Sequence, residues 1–180
     1  TSPGDAGSSF PLDIAGSLDA GGESDTVASP LEWEIWWKLE GVAIGDLFGQ
    51  RIIGAGDVNA DGWPDVMVSS GYIDVGGVED VGAAYVYSGL DASLLHSWTG
   101  TSPKGFYGGV IAPAGELNGD GHADVMVLAA AVGTGGEDEG TVYVYSGQDG
   151  SLIHALSGDA PTDRLGSSMV AVADMDGDGV

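Results

Sequence analysis

At 180 residues, 43% of them apolar, the chain is long enough to bury an ordinary core and too apolar for the disordered class. Four Lys plus Arg against 28 Asp plus Glu leave a formal charge of -24, a field that repels phosphate and argues against nucleic acid or anionic membranes as partners. Cysteine is absent, so there is no disulfide framework, and no run reaches the roughly 18 apolar residues of a membrane-spanning helix.

In chain order, residues 1–25 come first, rich in Gly, Ser, Asp and Ala, and read as a flexible acidic linker. No basic start followed by an apolar run marks a signal peptide there. Past Gly41 and Phe48-Gly49 the chain reaches the acidic loop Asp57-Val-Asn59-Ala-Asp61-Gly62-Trp63-Pro-Asp65, and the apolar run Asp65-Val-Met-Val-Ser-Ser70 leaves it. An acidic connection, Ile73 to Gly82, leads to Ala84-Tyr-Val-Tyr87, and Ser93 to Thr99 closes the unit.

The same order then repeats. Tyr107-Gly108 answers Phe48-Gly49, and a small-residue strand, expected around Tyr107 to Leu117 over Gly108 to Gly115, leads to a second acidic loop, Glu116-Leu-Asn118-Gly-Asp120-Gly121-His122-Ala-Asp124. Asp124-Val-Met-Val-Leu-Ala-Ala130 is continuously apolar, as a strand covered on both faces would be. Thr141-Val-Tyr-Val-Tyr145 alternates, with one face of Val and one of Tyr and Thr. A turn at Ser146 to Gly150 feeds Ser151 to Leu156. Leu165-Gly166 and a third loop, Asp174-Met-Asp176-Gly-Asp178-Gly179-Val180, open another unit. The residues that open the three loops, Asp57, Glu116 and Asp174, stand at nearly even intervals.

Short alternating strands, 33 glycines and this regular period predict four antiparallel strands per unit. Stacked radially, such units are the blades of a β-propeller. The expected fold is therefore all-β, a partial propeller with two complete blades at 41–99 and 100–157. Residues 26–40 are expected to supply outer strands of a degenerate blade, because Glu34 to Leu39 stands one period before Ser93 to Trp98. Residues 158–180 would begin a further blade. The chain is expected to be a piece of something longer.

The loops carry the chemistry. Oxygen-bearing side chains at alternate places, a glycine at the sixth and a main-chain carbonyl at the seventh are what a hard cation requires, and Ca²⁺ is the natural occupant. The expected ligands are Asp57, Asn59, Asp61, the Trp63 carbonyl and Asp65; Glu116, Asn118, Asp120, the His122 carbonyl and Asp124; and Asp174, Asp176, Asp178 and the Val180 carbonyl. EF-hand and dockerin loops need a carboxylate at the twelfth place, where Val68 and Val127 stand here. Ligation would therefore close at the ninth, leading into a strand. Asn, Asp and Gly also serve plain turns, but three carboxylates per loop repel one another without a cation between them.

Other residues read as packing. His96 and His154 hold equivalent places, and Tyr85, Tyr87, Tyr143 and Tyr145 alternate along equivalent strands. Trp33, Trp36 and Trp37 suit a strand core better than a stacking platform for sugar rings. No nucleophile elbow, phosphate-cradling glycine loop or histidine cluster is present, so no catalytic role is expected.

Phe48-Gly49, Gly54-Ala-Gly-Asp57 and the following acidic loop resemble the FG-GAP repeat of integrin alpha chains and of many bacterial surface proteins, over roughly Gly41 to Val180. Glu116 in place of Asp departs from that pattern, as do Ala-Pro-Ala-Gly115 and Ala171-Val-Ala173 in place of Gly-Ala-Gly. The resemblance implies a seven-bladed ring, calcium between the first and second strands of a blade, and an extracellular or cell-surface adhesion protein, here of bacterial type. Its protein or carbohydrate ligand would approach the face opposite the calcium loops, where 42–47, 73–82, 101–106, 132–140 and 159–164 emerge with Lys104, Phe106 and Arg164. The alternative expectation is a non-catalytic scaffold beside a secreted polysaccharide-active or other hydrolytic domain. An acidic halophile protein indifferent to calcium is a third.

Overall fold

The computed structural model describes residues 37–41, 43–130, 139–160 and 162–172. The chain divides into two compact units, Thr1–Glu34 and Ile35–Val180, and all described residues lie in the second. The linker expected at 1–25, nearly all of 26–40 with Trp33 and Trp36, and the third loop at 174–180 lie outside the described residues.

Among the described residues eight strands form two sheets. In the first, β1 (Arg51–Gly56), β2 (Asp65–Ser70), β3 (Ala83–Tyr87) and β4 (Leu94–Thr99) pair antiparallel in chain order. In the second, β5 (Ile111–Gly115), β6 (Asp124–Ala129), β7 (Thr141–Tyr145) and β8 (Leu152–Ser157) do the same. The all-β reading holds, with two complete four-stranded blades and an open ring.

The residue pattern explains the strands. β2 and β6 are buried on both faces, as their apolar runs require, and β3 and β7 bury Val while their tyrosines stay half-exposed. β5 begins at Ile111, later than the glycines at 108 and 109 led one to expect. Gly108 is left-handed (φ 83), and a Cβ there would stand 2.5 Å from the Ala83 carbonyl oxygen of the other blade. Pro113 is tolerated because β5 is an edge strand with a register shift at 113–115, and β1 repeats that shift at 54–56.

Neither sheet could cover its own apolar faces, and one core fills the space between them. Ala55, Met67, Ala84 and Val86 of the first blade pack with Tyr107, Ile111, Val125, Val127 and Ala129 of the second. Aromatic residues seal the outer seam. Trp98 of β4 stacks on Tyr145 of β7 with ring centroids 4.7 Å apart, and its Nε1 donates to the Gly150 carbonyl at 3.0 Å. His96 Nε2 donates to the Gly147 carbonyl at 2.6 Å, and Tyr107 Oη donates to Tyr145 Oη at 2.7 Å. Burial, then that bond, holds the Tyr107 phenol far above its ordinary range. Within the first blade Phe48 meets Tyr85 and Tyr87 as Tyr107 meets Tyr143, so the FG-type aromatic is a wedge against the third strand.

Candidate metal loops

The first acidic loop joins β1 to β2 and the second joins β5 to β6, at the end from which the β3–β4 and β7–β8 hairpins also emerge. The first loop is held by its own main chain. Asp61 N donates to Asp57 Oδ1 and to Asn59 Oδ1, each at 3.0 Å, and Gly62 N donates to Asp57 Oδ2 at 2.9 Å. Trp63 N donates to Asp61 Oδ1 at 2.8 Å. The first, third and fifth side chains therefore turn inward on the fifth to seventh amides. Gly62 (φ 90) and Ala60 (φ 58) supply the left-handed bends this wrap needs.

The second loop repeats the scheme with a longer first residue. Glu116 Oε1 accepts Asn118 N at 3.1 Å, Gly119 N at 2.8 Å and Asp120 N at 3.3 Å, while Oε2 accepts Gly121 N. Asp120 N also donates to Asn118 Oδ1 at 3.0 Å, and His122 N donates to Asp120 Oδ1 at 2.9 Å. Glutamate's extra methylene does not prevent it from taking the aspartate's place.

The ninth carboxylates, expected as closing ligands, sit deeper. Asp65 and Asp124 are buried, at 1% and 0% exposure. Asp65 Oδ2 accepts Val58 N at 2.7 Å and Oδ1 accepts Gly89 N at 3.0 Å. Asp124 Oδ2 accepts Leu117 N at 2.8 Å and Oδ1 accepts Gly147 N at 3.0 Å. Each thus clamps its loop to the hairpin of the last two strands. This explains the repeated Ser-Gly after each Tyr-Val-Tyr: a Cβ on Gly89 would stand 1.9 Å from the Pro64 carbonyl oxygen, and one on Gly147 2.1 Å from that of Ala123.

Electrostatics follow the geometry. Burial pushes the Asp124 carboxyl up; the Gly147 and Leu117 amides oppose this, and the charges of Asp120 and Glu116 reinforce it. For Glu116 partial desolvation works upward, but four backbone amides outweigh it and hold the carboxyl below its ordinary range. Asp120 is lowered in the same way, desolvation being overcome by His122 N, Asn118 and Ser146.

The donor set fits a hard cation. Carboxylate and amide oxygens alternate around a tight bend, and an oxygen already accepting one amide keeps further acceptor capacity. Among the described residues no three His, Cys, Asp or Glu side chains gather as a ready-made shell. A cation here would rely on Asn59 or Asn118 and on main-chain carbonyls as well. Asn59 Nδ2 donates to Asp61 Oδ2 at 2.8 Å, and Asn118 Nδ2 to Asp120 Oδ2 at 2.8 Å, partly meeting the charge a cation would meet.

His122 has a role the sequence did not disclose: its Nδ1 lies 2.8 Å from the Val58 carbonyl of the first loop. On the opposite face the two connections are tied together, Lys104 N donating to Glu79 O at 2.9 Å and Phe106 N to Asp80 O at 3.2 Å. Tyr72 and Phe106 meet edge to face there, with centroids 5.1 Å apart. Residues 131–138 and Val42 of that face lie outside the described residues. Among the described residues no helix is long and apolar enough to cross a membrane, which says nothing of a strand-built span.

Stacked four-stranded blades with an acidic loop after each first strand define a β-propeller repeat segment. A family model described as FG-GAP-like repeat matches residues 116–180. Integrin alpha-3 of Cricetulus griseus is 35% identical over 136 residues, covering 71% of this chain and 12% of that protein. Integrin alpha-7 of Homo sapiens is 33% identical over 147 residues (77% and 12%), and Integrin alpha-PS3 of Drosophila melanogaster 31% over 132 (71% and 11%). The chain belongs to the FG-GAP repeat family and spans about 12% of the length of these integrin alpha relatives. The relatives are animal proteins, and the bacterial type expected from the sequence is not borne out.

Proposed function

We propose that this segment is a calcium-stapled stretch of propeller in an extracellular or cell-surface protein, serving adhesion or ligand binding and carrying no catalysis itself. The observation that carries the reading is that two loops of different sequence, one opened by Asp57 and one by Glu116, close on the same main-chain amides in the same order. Asp57, Asn59, Asp61, the Trp63 carbonyl and Asp65 would hold one Ca²⁺. Glu116, Asn118, Asp120, the His122 carbonyl and Asp124 would hold a second. Asp174, Asp176, Asp178 and the Val180 carbonyl would serve a third.

A bound ion would neutralise the loop carboxylates and fix β1 to β2 and β5 to β6. The units are 1–25 linker, 26–40 outer strands, blades at 41–99 and 100–157, and the start of another at 158–180. A protein or carbohydrate ligand would meet the opposite face, at 73–82 and 101–106, and further blades of a longer protein would cover the apolar blade faces. The resemblance to integrin alpha chains supports the adhesion role. Calorimetry of the full chain with Ca²⁺ and thermal unfolding with and without chelator test the metal. Heat of binding with a chelator-sensitive midpoint is expected; absence of both overturns the reading.

A further inference from the structure

The two acidic loops are strapped to one another. Ala123 N donates to the Asp57 carbonyl at 3.0 Å, and His122 Nδ1 stands 2.8 Å from the Val58 carbonyl. A carbonyl only accepts, so Nδ1 carries the proton. Asp57 opens the first loop, and His122 holds the seventh place of the second. A ligand residue of each candidate site thus lies within one residue of the other, through one hydrogen bond.

The strap is packed as well as bonded. A Cβ on Gly56 would stand 2.7 Å from Ala123 Cβ, and one on Gly147 would stand 3.1 Å from the Val58 carbonyl oxygen. Gly147 N in turn donates to Asp124 Oδ1 at 3.0 Å. The chain at 56–58 and at 122–124 therefore has no slack in which to move separately.

This strap is not a general property of the repeat. The first loop has Trp63 and Pro64 where the second has His122 and Ala123. Proline carries no N–H, so the first loop cannot offer the same main-chain bond to a unit preceding it. Of these two loops, the second alone supplies both donors.

We propose that cation binding at the two loops is coupled through this strap, so that an ion in one raises the affinity of the other. An ion in the first loop fixes the Asp57–Val58 carbonyls on which His122 and Ala123 rest. An ion in the second fixes the His122 main chain and with it both donors. The effect is reciprocal by linkage, and it rests on reading the loops as cation sites.

The test is a Ca²⁺ titration of the full chain followed site by site by NMR of the Gly62 and Gly121 amides. Asp61→Ala, outside the strap, disables the first loop. It should weaken Ca²⁺ binding reported by Gly121 about five-fold or more, the lower end of ordinary coupling. Asp120→Ala should weaken binding reported by Gly62 by the same factor. In a background carrying His122→Phe and Ala123→Pro, which copies the donor-free pattern of the first loop, Asp61→Ala should change Gly121 affinity less than two-fold. If two ions bind and Asp61→Ala leaves Gly121 affinity unchanged, the coupling is overturned and the loop reading stands. If neither amide responds to Ca²⁺, both fall together. Ala123→Pro alone, checked by its metal-free amide spectrum, replaces the double variant should that one misfold.

Discussion

Replacing Gly147 with alanine tests the account of how each loop is clamped to its hairpin. The new Cβ would stand 2.1 Å from the Ala123 carbonyl oxygen, well over an ångström inside the 3.4 Å at which ordinary contact begins. Gly147 has no left-handed φ, so the cost is steric and not torsional. Overpacking of this kind costs about 1–3 kcal/mol. Relieving it means backing the hairpin away, which stretches Gly147 N from the buried Asp124 carboxylate; a hydrogen bond to a charged group is worth about 1.5–3 kcal/mol. A stiffer unfolded chain returns about 0.4–1 kcal/mol. The net loss should be about 2–5 kcal/mol, a large part of the roughly 5–15 kcal/mol that holds a domain folded. Urea unfolding in chelator measures it, with Gly54→Ala as the control because no atom lies within 4 Å of a Cβ there. A Gly147→Ala protein within about 0.5 kcal/mol of wild type, the range of an ordinary surface substitution, would refute the clamp.

Trp98→Ala should cost about 1–3 kcal/mol, the sum of the lost Tyr145 stacking and the lost Gly150 bond, whereas Leu156→Ala at the equivalent, exposed place should stay within about 0.5 kcal/mol; urea midpoints compare them. Free Ca²⁺ at a hundred times the dissociation constant should add about 2.7 kcal/mol per filled loop, read as a rise in the thermal midpoint that chelator abolishes. In chelator, carboxyl NMR should find Asp124 titrating above the ordinary aspartate value and Glu116 below the ordinary glutamate value. The raised Asp124 supports folding below its unfolded pKa and withdraws that support as pH rises through its folded pKa. Glu116 supports folding above its unfolded pKa and loses that support as pH falls through its lower folded one. Added Ca²⁺ should move Asp124 downward, since a nearby cation favours the carboxylate.

Much of the fold was legible because β structure writes itself locally. The apolar runs after Asp65 and Asp124 and the alternation of Tyr and Val at 141–145 fixed β2, β6 and β7 closely, and the loop spacing located the blades. The edge strands were harder. Nothing in the residue pattern marked the start of β1 at Arg51, and β5 begins only at Ile111, because glycine-rich edges carry little periodic signal.

In the loops the residue types were readable and their second duties were not. Asp65 and Asp124 looked like closing ligands, yet each also accepts an amide 23 or 24 residues away, on a hairpin their own neighbourhood does not name. Gly147 looked like part of a turn, while its need for glycine comes from a contact across the sheet. His122 looked like a carbonyl donor, and its ring reaches a residue 64 positions back. A comparison of the eighth loop places, Pro64 against Ala123, was the available hint that these two turns are not equivalent.

The seam between blades joins residues at fixed chain distances, 51 positions from His96 to Gly147 and 52 from Trp98 to Gly150. His154 repeats His96 one period on, whereas Leu156 stands where Trp98 would be, so the next seam can repeat the imidazole contact and not the indole one. Individuality must then come from substitutions that break the period, and proline opposite alanine is one of them.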